Sequence, residues 1–397
     1  MSAATWAWAS AGMLLLALAL NLALAGAGLA ATPQLLDFTA EELQRIQSHG
    51  PWPPAPQRDA SNRVEDQPAA VQLGRRLFFD ASLSLSGRVS CASCHVPARA
   101  FQDGRPAPAD PAPGQRNTPS LLDVAQQRWF GWDGAHDSLW AASMTPLLTG
   151  GEMAATPAFL AARVRSSPPL HAAYLRSFAQ RPPDDDQQLV VNLGKALAAY
   201  QVTLVSPRTA FDHFRDALAR GDHRAAGRYP LAAQRGLRIF IGDGNCSVCH
   251  SGASFSNGEF ADIGVPFFVS GGVDAGRHVG LQRLLASPLN RLGPHNDAGT
   301  ADPRAVQTRH VLPQHRNFGE FRVPGLRQLP HTAPYMHDGS LATIADVVRH
   351  YSELNEERLH ADGERILRPL RLDAGQAADL VDFLRSLGQP ERRQQPR

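Results

Sequence analysis

Cys91-Ala92-Ser93-Cys94-His95 decides the reading of this chain, and it has a counterpart in Cys246-Ser247-Val248-Cys249-His250. All four cysteines lie in these two motifs. Two cysteines with two residues between them put both sulfurs on one side of a helical turn, and the histidine that follows projects its ring alongside. This is the attachment signature of a c-type haem, in which each sulfur adds to a vinyl group and the imidazole binds the iron. Disulfide pairing is the common use of four cysteines outside the cytoplasm, but it does not explain a histidine after each pair. A tetrahedral zinc site needs four converging ligands, whereas Cys91 and Cys246 are 155 residues apart and each pair has its own histidine. The motifs therefore predict two covalently attached haems on Cys91, Cys94, Cys246 and Cys249, with His95 and His250 as proximal iron ligands.

Working outward, Leu73-Gly74-Arg75-Arg76-Leu77-Phe78 precedes the first motif and Arg235-Gly236-Leu237-Arg238-Ile239-Phe240 precedes the second. Gly, Arg, an aliphatic residue and Phe recur in the same order and spacing, which reads as an internal repeat of one cytochrome-like unit. Helical spacing of apolar residues marks Val71 to Phe79, Asp186 to Leu204, Phe211 to Ala219 and a closing helix from Asp373 to Leu387, with Ser206-Pro207 as a break. Strand signals are limited to short runs such as Val265 to Val269, and the segment Asp262 to Asn317 reads as a long loop. The expected fold is mainly α: two cytochrome c-like haem domains, 31–215 and 216–397, packed around an interdomain interface.

The 397 residues suffice for two domains with proper cores. Formal net charge is only +2, and Lys195 is the sole lysine among scattered arginines. No basic patch of the kind that binds nucleic acid is present. The first 31 residues carry no Lys, Arg, Asp or Glu, and the apolar run Met13 to Leu24 leads to Gly28-Leu29-Ala30, a small-x-small cleavage pattern. Residues 1–30 read as a signal peptide, with a retained N-terminal anchor as the alternative. The mature chain is expected outside the cytoplasm, in the periplasm, without stable membrane insertion.

Asn117-Thr118-Pro119, Trp132-Asp133-Gly134 and Pro334-Tyr335-Met336-His337-Asp338-Gly339, taken in order with the two haem motifs, resemble the bacterial dihaem cytochrome c peroxidases and their MauG-like relatives. The resemblance spans roughly residues 68 to 388 and implies an enzyme whose N-terminal haem reacts with hydrogen peroxide. Peroxidases of this family that need reductive activation carry a blocking histidine in the loop after the first motif. This chain has no histidine between His95 and His136, and Gly104 to Gln115 is Pro- and Ala-rich, so the first iron is expected to be open. The resemblance assigns the distal acid to Glu152, 20 residues after Trp132, and matches Pro146, 14 residues after it. A carboxylate there can take a proton from bound peroxide and return it to the leaving oxygen. Ala142 stands where the family often has glutamine.

By the same resemblance Trp132 is the electron relay between the haems, and Asn117, Thr332 and Pro334 hold one calcium ion through oxygen ligands, the donor type calcium prefers. The sixth ligand of the second iron falls 14 residues after His337, at Tyr351, where the classical peroxidases have methionine; His350 is a neighbouring competitor. A phenolate is a hard donor favouring oxidised iron. The implied function is an oxidoreductase that uses hydrogen peroxide to reach a high-valent dihaem state and oxidises a periplasmic protein partner, as MauG-type proteins do. Two alternatives remain: a peroxide-detoxifying cytochrome c peroxidase fed by a small cytochrome c or cupredoxin, and a non-enzymatic dihaem electron carrier. His310 and His315, in the long loop, are read as surface residues.

Overall fold

A computed structural model describes residues 34–106, 116–266, 268–269, 272–362 and 366–389. The expected signal peptide lies outside the described residues, and among those described no helix is long and apolar enough to cross a membrane.

The chain is mainly helical, as expected. In order, the helices are α1 (Ala40–Ser48), α2 (Pro68–Phe79), α3 (Cys91–Cys94), α4 (Leu139–Leu148), α5 (Pro157–Ser166), α6 (Pro168–Phe178), α7 (Asp186–Gln201), α8 (Ala210–Ala219), α9 (His223–Ala226), α10 (Leu231–Ile241), α11 (Cys246–Cys249), α12 (Arg277–Ala286), α13 (Ala305–His310), α14 (Ile344–Ser352) and α15 (Ala374–Ser386). Four two-residue strands complete the regular structure: β1 (Phe260–Ala261), β2 (Phe268–Val269), β3 (Gly272–Val273) and β4 (Phe321–Arg322). They pair antiparallel as β1 with β4 and β2 with β3.

Among the described residues, two large hydrophobic cores and a small third one, Trp129 with Leu281 and Leu284 of α12, organise the helices. The first joins α2 and α4–α7 through residues such as Leu77, Phe78, Trp140, Leu160, Tyr174 and Leu193. The second joins α8, α10, α14 and α15 through Phe211, Phe214, Leu237, Phe240, Val348, Leu380 and Phe383. The glycines of the sequence repeat explain the main helix crossing in each. A Cβ on Gly74 would lie 1.8 Å from the Ala196 carbonyl oxygen of α7, and one on Gly236 would lie 1.9 Å from that of Asp379 on α15. In both units the helix preceding the haem motif therefore touches its partner backbone to backbone.

The core memberships do not divide cleanly along the chain. Phe38, beside α1, and Ile46 within it pack into the second core with Phe211 and Phe214, although all four precede residue 216. The segment 262–317, expected as a loop, contains helices α12 and α13. Helix α12 buries Arg277, Gly280, Leu281 and Leu284, an i, i+3, i+4, i+7 face in which only two members are apolar.

Candidate haem sites and their surroundings

Each Cys-x-x-Cys-His turn is a short helix whose terminal histidine donates backbone N–H to the first cysteine's carbonyl: His95 to Cys91 at 2.9 Å and His250 to Cys246 at 2.8 Å. His95 Nδ1 is 2.9 Å from the Phe101 carbonyl oxygen, and His250 Nδ1 is 2.9 Å from that of Phe255. A backbone carbonyl at Nδ1 fixes the tautomer and leaves Nε2 as the metal-binding atom. Carbonyls of Pro119 and Pro324 also interact with His95 and His250 respectively. None of the four cysteines forms a disulfide. Among the described residues the two motifs do not come together as one group of metal-ligating side chains.

A second repeat, with a constant spacing of 205 residues, runs through the remaining motifs. Asn117-Thr118-Pro119 corresponds to Arg322-Val323-Pro324, and Trp132-Asp133-Gly134 to His337-Asp338-Gly339. The correspondence is structural as well. Isolated bridges join Phe130 to His136 and Tyr335 to Leu341, and Gly134 and Gly339 take left-handed φ values of 64° and 68°. Ser138 caps α4 and Thr343 caps α14, each accepting from an amide three residues on. In this register Pro146 on α4 is the counterpart of Tyr351 on α14.

Tyr351 lines a cavity of about 1240 Å³ together with Cys246, Cys249, His250, Phe240 and Leu384. Burial raises its phenol pKa, and the two cysteines add to the rise, so the ring sits beside the second motif. Ionising such a phenol requires a neighbouring cation, which an iron would supply. The competitor His350 turns away, its Nε2 2.8 Å from the Ile263 carbonyl oxygen. The cavity, the His250 tautomer and the half-buried phenol together fit a haem.

Around the first motif, Glu152 stands on the turn after α4. Its side chain is exposed on one face, yet desolvation by the surrounding protein raises its pKa, and its charge acts on both Cys91 and Cys94. Pro146 is half-buried, and Ala142, one turn earlier, packs against the first core. Most of the Pro- and Ala-rich loop expected over the first iron, residues 107–115, lies outside the described residues.

Trp132 lines the same large cavity as Tyr351, with its indole N–H donated to the Asn117 carbonyl at 2.8 Å. Asn117 Nδ2 donates to the Pro334 carbonyl at 2.7 Å, while its Oδ1 is buried without a hydrogen-bond partner. Thr332 belongs to the same loop and cavity wall, and Gln102 ties that loop to the first unit through the carbonyls of His331 and Ala333. An orphaned amide oxygen beside a carbonyl oxygen fits a hard cation such as calcium. His310 is exposed, and His315 is also exposed, in a pair with Asp362.

Sequence reasoning missed two buried groups. His49, on the turn after α1, is 1% exposed and reaches the His250 carbonyl with Nε2 at 3.2 Å. Arg322, on β4, is 5% exposed and lines the large cavity. The 205-residue register marks the position of Arg322 without showing its role, whereas no local pattern marks His49.

Two helical units, each with a Cys-x-x-Cys-His turn and a carbonyl-fixed histidine, define the class of dihaem c-type cytochromes. A profile described as di-haem cytochrome c peroxidase matches residues 68–220. The chain is 32% identical over 322 residues to the methylamine utilization protein MauG of Methylorubrum extorquens, covering 81% of this chain and 78% of that protein. It is 31% identical to the cytochrome-c peroxidase IdrP1 of Denitromonas iodatirespirans, covering 86% of each. The solved structure of a MauG-like protein associated with microbial copper homeostasis superposes with a TM-score of 0.62 at 25% identity, over 85% of this chain and 95% of that one. The chain belongs to the dihaem cytochrome c peroxidase family, in its MauG-like branch, and is an enzyme of the dihaem peroxidase/oxidase type with haem c cofactors.

Proposed function

We propose that the protein is an exported, periplasmic dihaem oxidase of the MauG type, which consumes hydrogen peroxide and oxidises a protein partner. The observation carrying this reading is the exchange at one position of the 205-residue register: proline in the first unit, tyrosine in the second. Pro146 has no side-chain donor atom, so the first unit offers no ligand where the second offers the Tyr351 phenol. A haem held by the first unit would thereby stay open to a small substrate, while one held by the second would meet a hard oxygen donor.

Bound haem supplies the iron at which peroxide is reduced, and two such groups let the protein hold two oxidising equivalents. Cys91, Cys94 and His95 would hold one haem; Cys246, Cys249, His250 and Tyr351 the other. Peroxide takes up two electrons and two protons and leaves as two waters, while the partner loses two electrons. Glu152 serves as the proton carrier: desolvation raises its pKa, which makes the carboxylate a better base for the peroxide proton, and the acid so formed passes that proton to the leaving oxygen. Trp132, held by the Asn117 carbonyl, lines the cavity that the second motif also lines, and there it would pass electrons between the units. Asn117, Thr332 and Pro334 would hold a calcium ion that ties the two units' loops together.

The test is stopped-flow addition of hydrogen peroxide to the fully oxidised holoprotein. Rapid, stoichiometric spectral change of both haems without prior reduction is expected. A requirement for one-electron reduction, followed by turnover with a small reduced cytochrome c or cupredoxin, would replace this reading with that of a reductively activated peroxidase.

A further inference from the structure

We propose that Arg322 is the counter-charge for a propionate carboxylate of the second haem, which makes it a carboxylate-binding residue of the second-unit cavity. The inference rests on the proposed haem attachment at Cys246 and Cys249.

Arg322 is an exception among the buried arginines. Arg291 is paired with Asp59 and Asp302 and Arg327 with Asp212, and even the half-buried Arg116 is paired with Asp133 and Asp274. Arg277 donates to the carbonyls of Asp133 and Gly134, lies against the rings of Trp129 and Phe260, and has Asp133, Glu259 and Glu320 near enough to act on it. Arg322 has one side-chain hydrogen bond, from Nε to the Gly131 carbonyl at 3.3 Å, and no carboxylate pairs with it among the described residues. Burial lowers its pKa to about 10, which still leaves it charged at neutral pH. A buried guanidinium without an anion is costly.

The missing anion belongs on the cavity side. Arg322 lines the cavity that Cys246, Cys249, His250 and Tyr351 also line. Asn117, Pro119 and Trp132 of the first unit also form part of its wall, but of the two haem motifs only the second lines it, which places the anion with the second haem. A haem is apolar apart from its iron and its two propionates, and a guanidinium fork matches a carboxylate in shape and charge. The register supports the placement. Arg322 stands two residues before Pro324, whose carbonyl interacts with His250, as Asn117 stands two before Pro119, whose carbonyl interacts with His95.

The pairing has a consequence for Trp132. The Arg322 guanidinium carbon is 5.9 Å from the Trp132 ring centroid, and an uncompensated cation there opposes removing an electron from the ring. A propionate cancels that charge, so Arg322 can fix the haem without disabling the relay.

The test uses full-length holoprotein carrying Arg322→Gln or Arg322→Lys, with haem counted by pyridine haemochrome and each haem's midpoint potential followed against pH by spectroelectrochemistry. Arg322→Gln should lower the second haem's midpoint and make it pH-dependent near neutrality, because the propionate loses its counter-charge. The first haem's midpoint should stay in place, and Arg322→Lys should restore most of the shift. A second-haem midpoint in Arg322→Gln that matches wild type at every pH, with both haems present, overturns the proposal. If Arg322→Gln does not fold or loses haem, the propionate bending band in resonance Raman spectra of Arg322→Lys decides: a shifted band supports the pairing and an unmoved band overturns it. Failure of the attachment reading itself would register separately, as fewer than two haems per wild-type chain.

Discussion

Replacing Gly74 by alanine puts the closest helix crossing of the first unit to the test. The new Cβ would sit 1.8 Å from the Ala196 carbonyl oxygen and 2.6 Å from its carbon. An unstrained carbon–oxygen contact needs roughly 3.3 Å, so α2 must withdraw from α7 by about 1.5 Å. The obstacle is helix backbone, not a rotatable side chain, and the core on both sides is close-packed. Overpacking costs about 1–3 kcal/mol, and a whole-helix shift belongs at the upper end. Alanine returns about 1 kcal/mol of helix propensity, leaving a net loss of about 2 kcal/mol or more. For a unit of this size that corresponds to roughly 4–8 °C in melting temperature. Gly236→Ala meets the Asp379 carbonyl at 1.9 Å and should cost the second unit a similar amount. Calorimetry of the holoproteins is the assay, with Gly150→Ala as control because a Cβ there meets nothing within 4 Å. If Gly74→Ala and Gly236→Ala melt with the control, the crossing argument is wrong.

Glu152→Gln should slow the reaction with peroxide by about 10²–10⁴-fold, measured by stopped flow. In wild type that rate should fall as pH is lowered through a value above the ordinary carboxylate range, because burial raises the Glu152 pKa and the basic form is the active one. Pro146→Met places a ligand where the second unit has Tyr351 and should convert the first haem to a low-spin, peroxide-insensitive form in optical spectra. Glu65 has a pKa raised to about 7, mainly by burial and then by Asp59. The folded state therefore keeps a proton that the unfolded chain releases, and stability declines as pH rises from about 4.5 to 7. Glu65→Gln should remove that decline and stabilise the protein by about 1–2 kcal/mol at pH 8, a figure reduced from the full pKa shift because the group is partly exposed; denaturant melts at two pH values would show it. Asp59 and Asp212, held below the usual carboxylate range by Arg291 and Arg327, work in the opposite direction. Their contribution is present above about pH 4 and is lost as pH falls through their lowered pKa values.

What the sequence made legible follows from periodicity and motif. Helices α2, α7, α8 and α15 lie within a few residues of their expected spans because their inward positions are apolar at helical spacing. Helix α12 was hidden because two of its four inward positions are Arg277 and Gly280. The arginine stacks between aromatic rings, and the glycine is required where a Cβ would lie 2.1 Å from the Asp133 carbonyl oxygen. The packing of Phe38 and Ile46 against Phe211 and Phe214 joins residues 165 to 176 positions apart, which local patterns cannot show. The 205-residue register was obscured because its members differ at the positions that set the two units apart: Trp132 against His337, Asn117 against Arg322 and Pro146 against Tyr351. Tyr351 was legible through the family resemblance together with its spacing from His337, whereas reading Arg322 needed the cavity it faces.

Low-temperature EPR of the oxidised holoprotein tests the asymmetry of the two units most directly. A high-spin ferric signal from the haem at His95 beside a low-spin signal from the haem at His250, the latter lost in Tyr351→Phe, is the predicted result. Two low-spin signals in the wild type, or a second-haem signal unchanged by Tyr351→Phe, would contradict it.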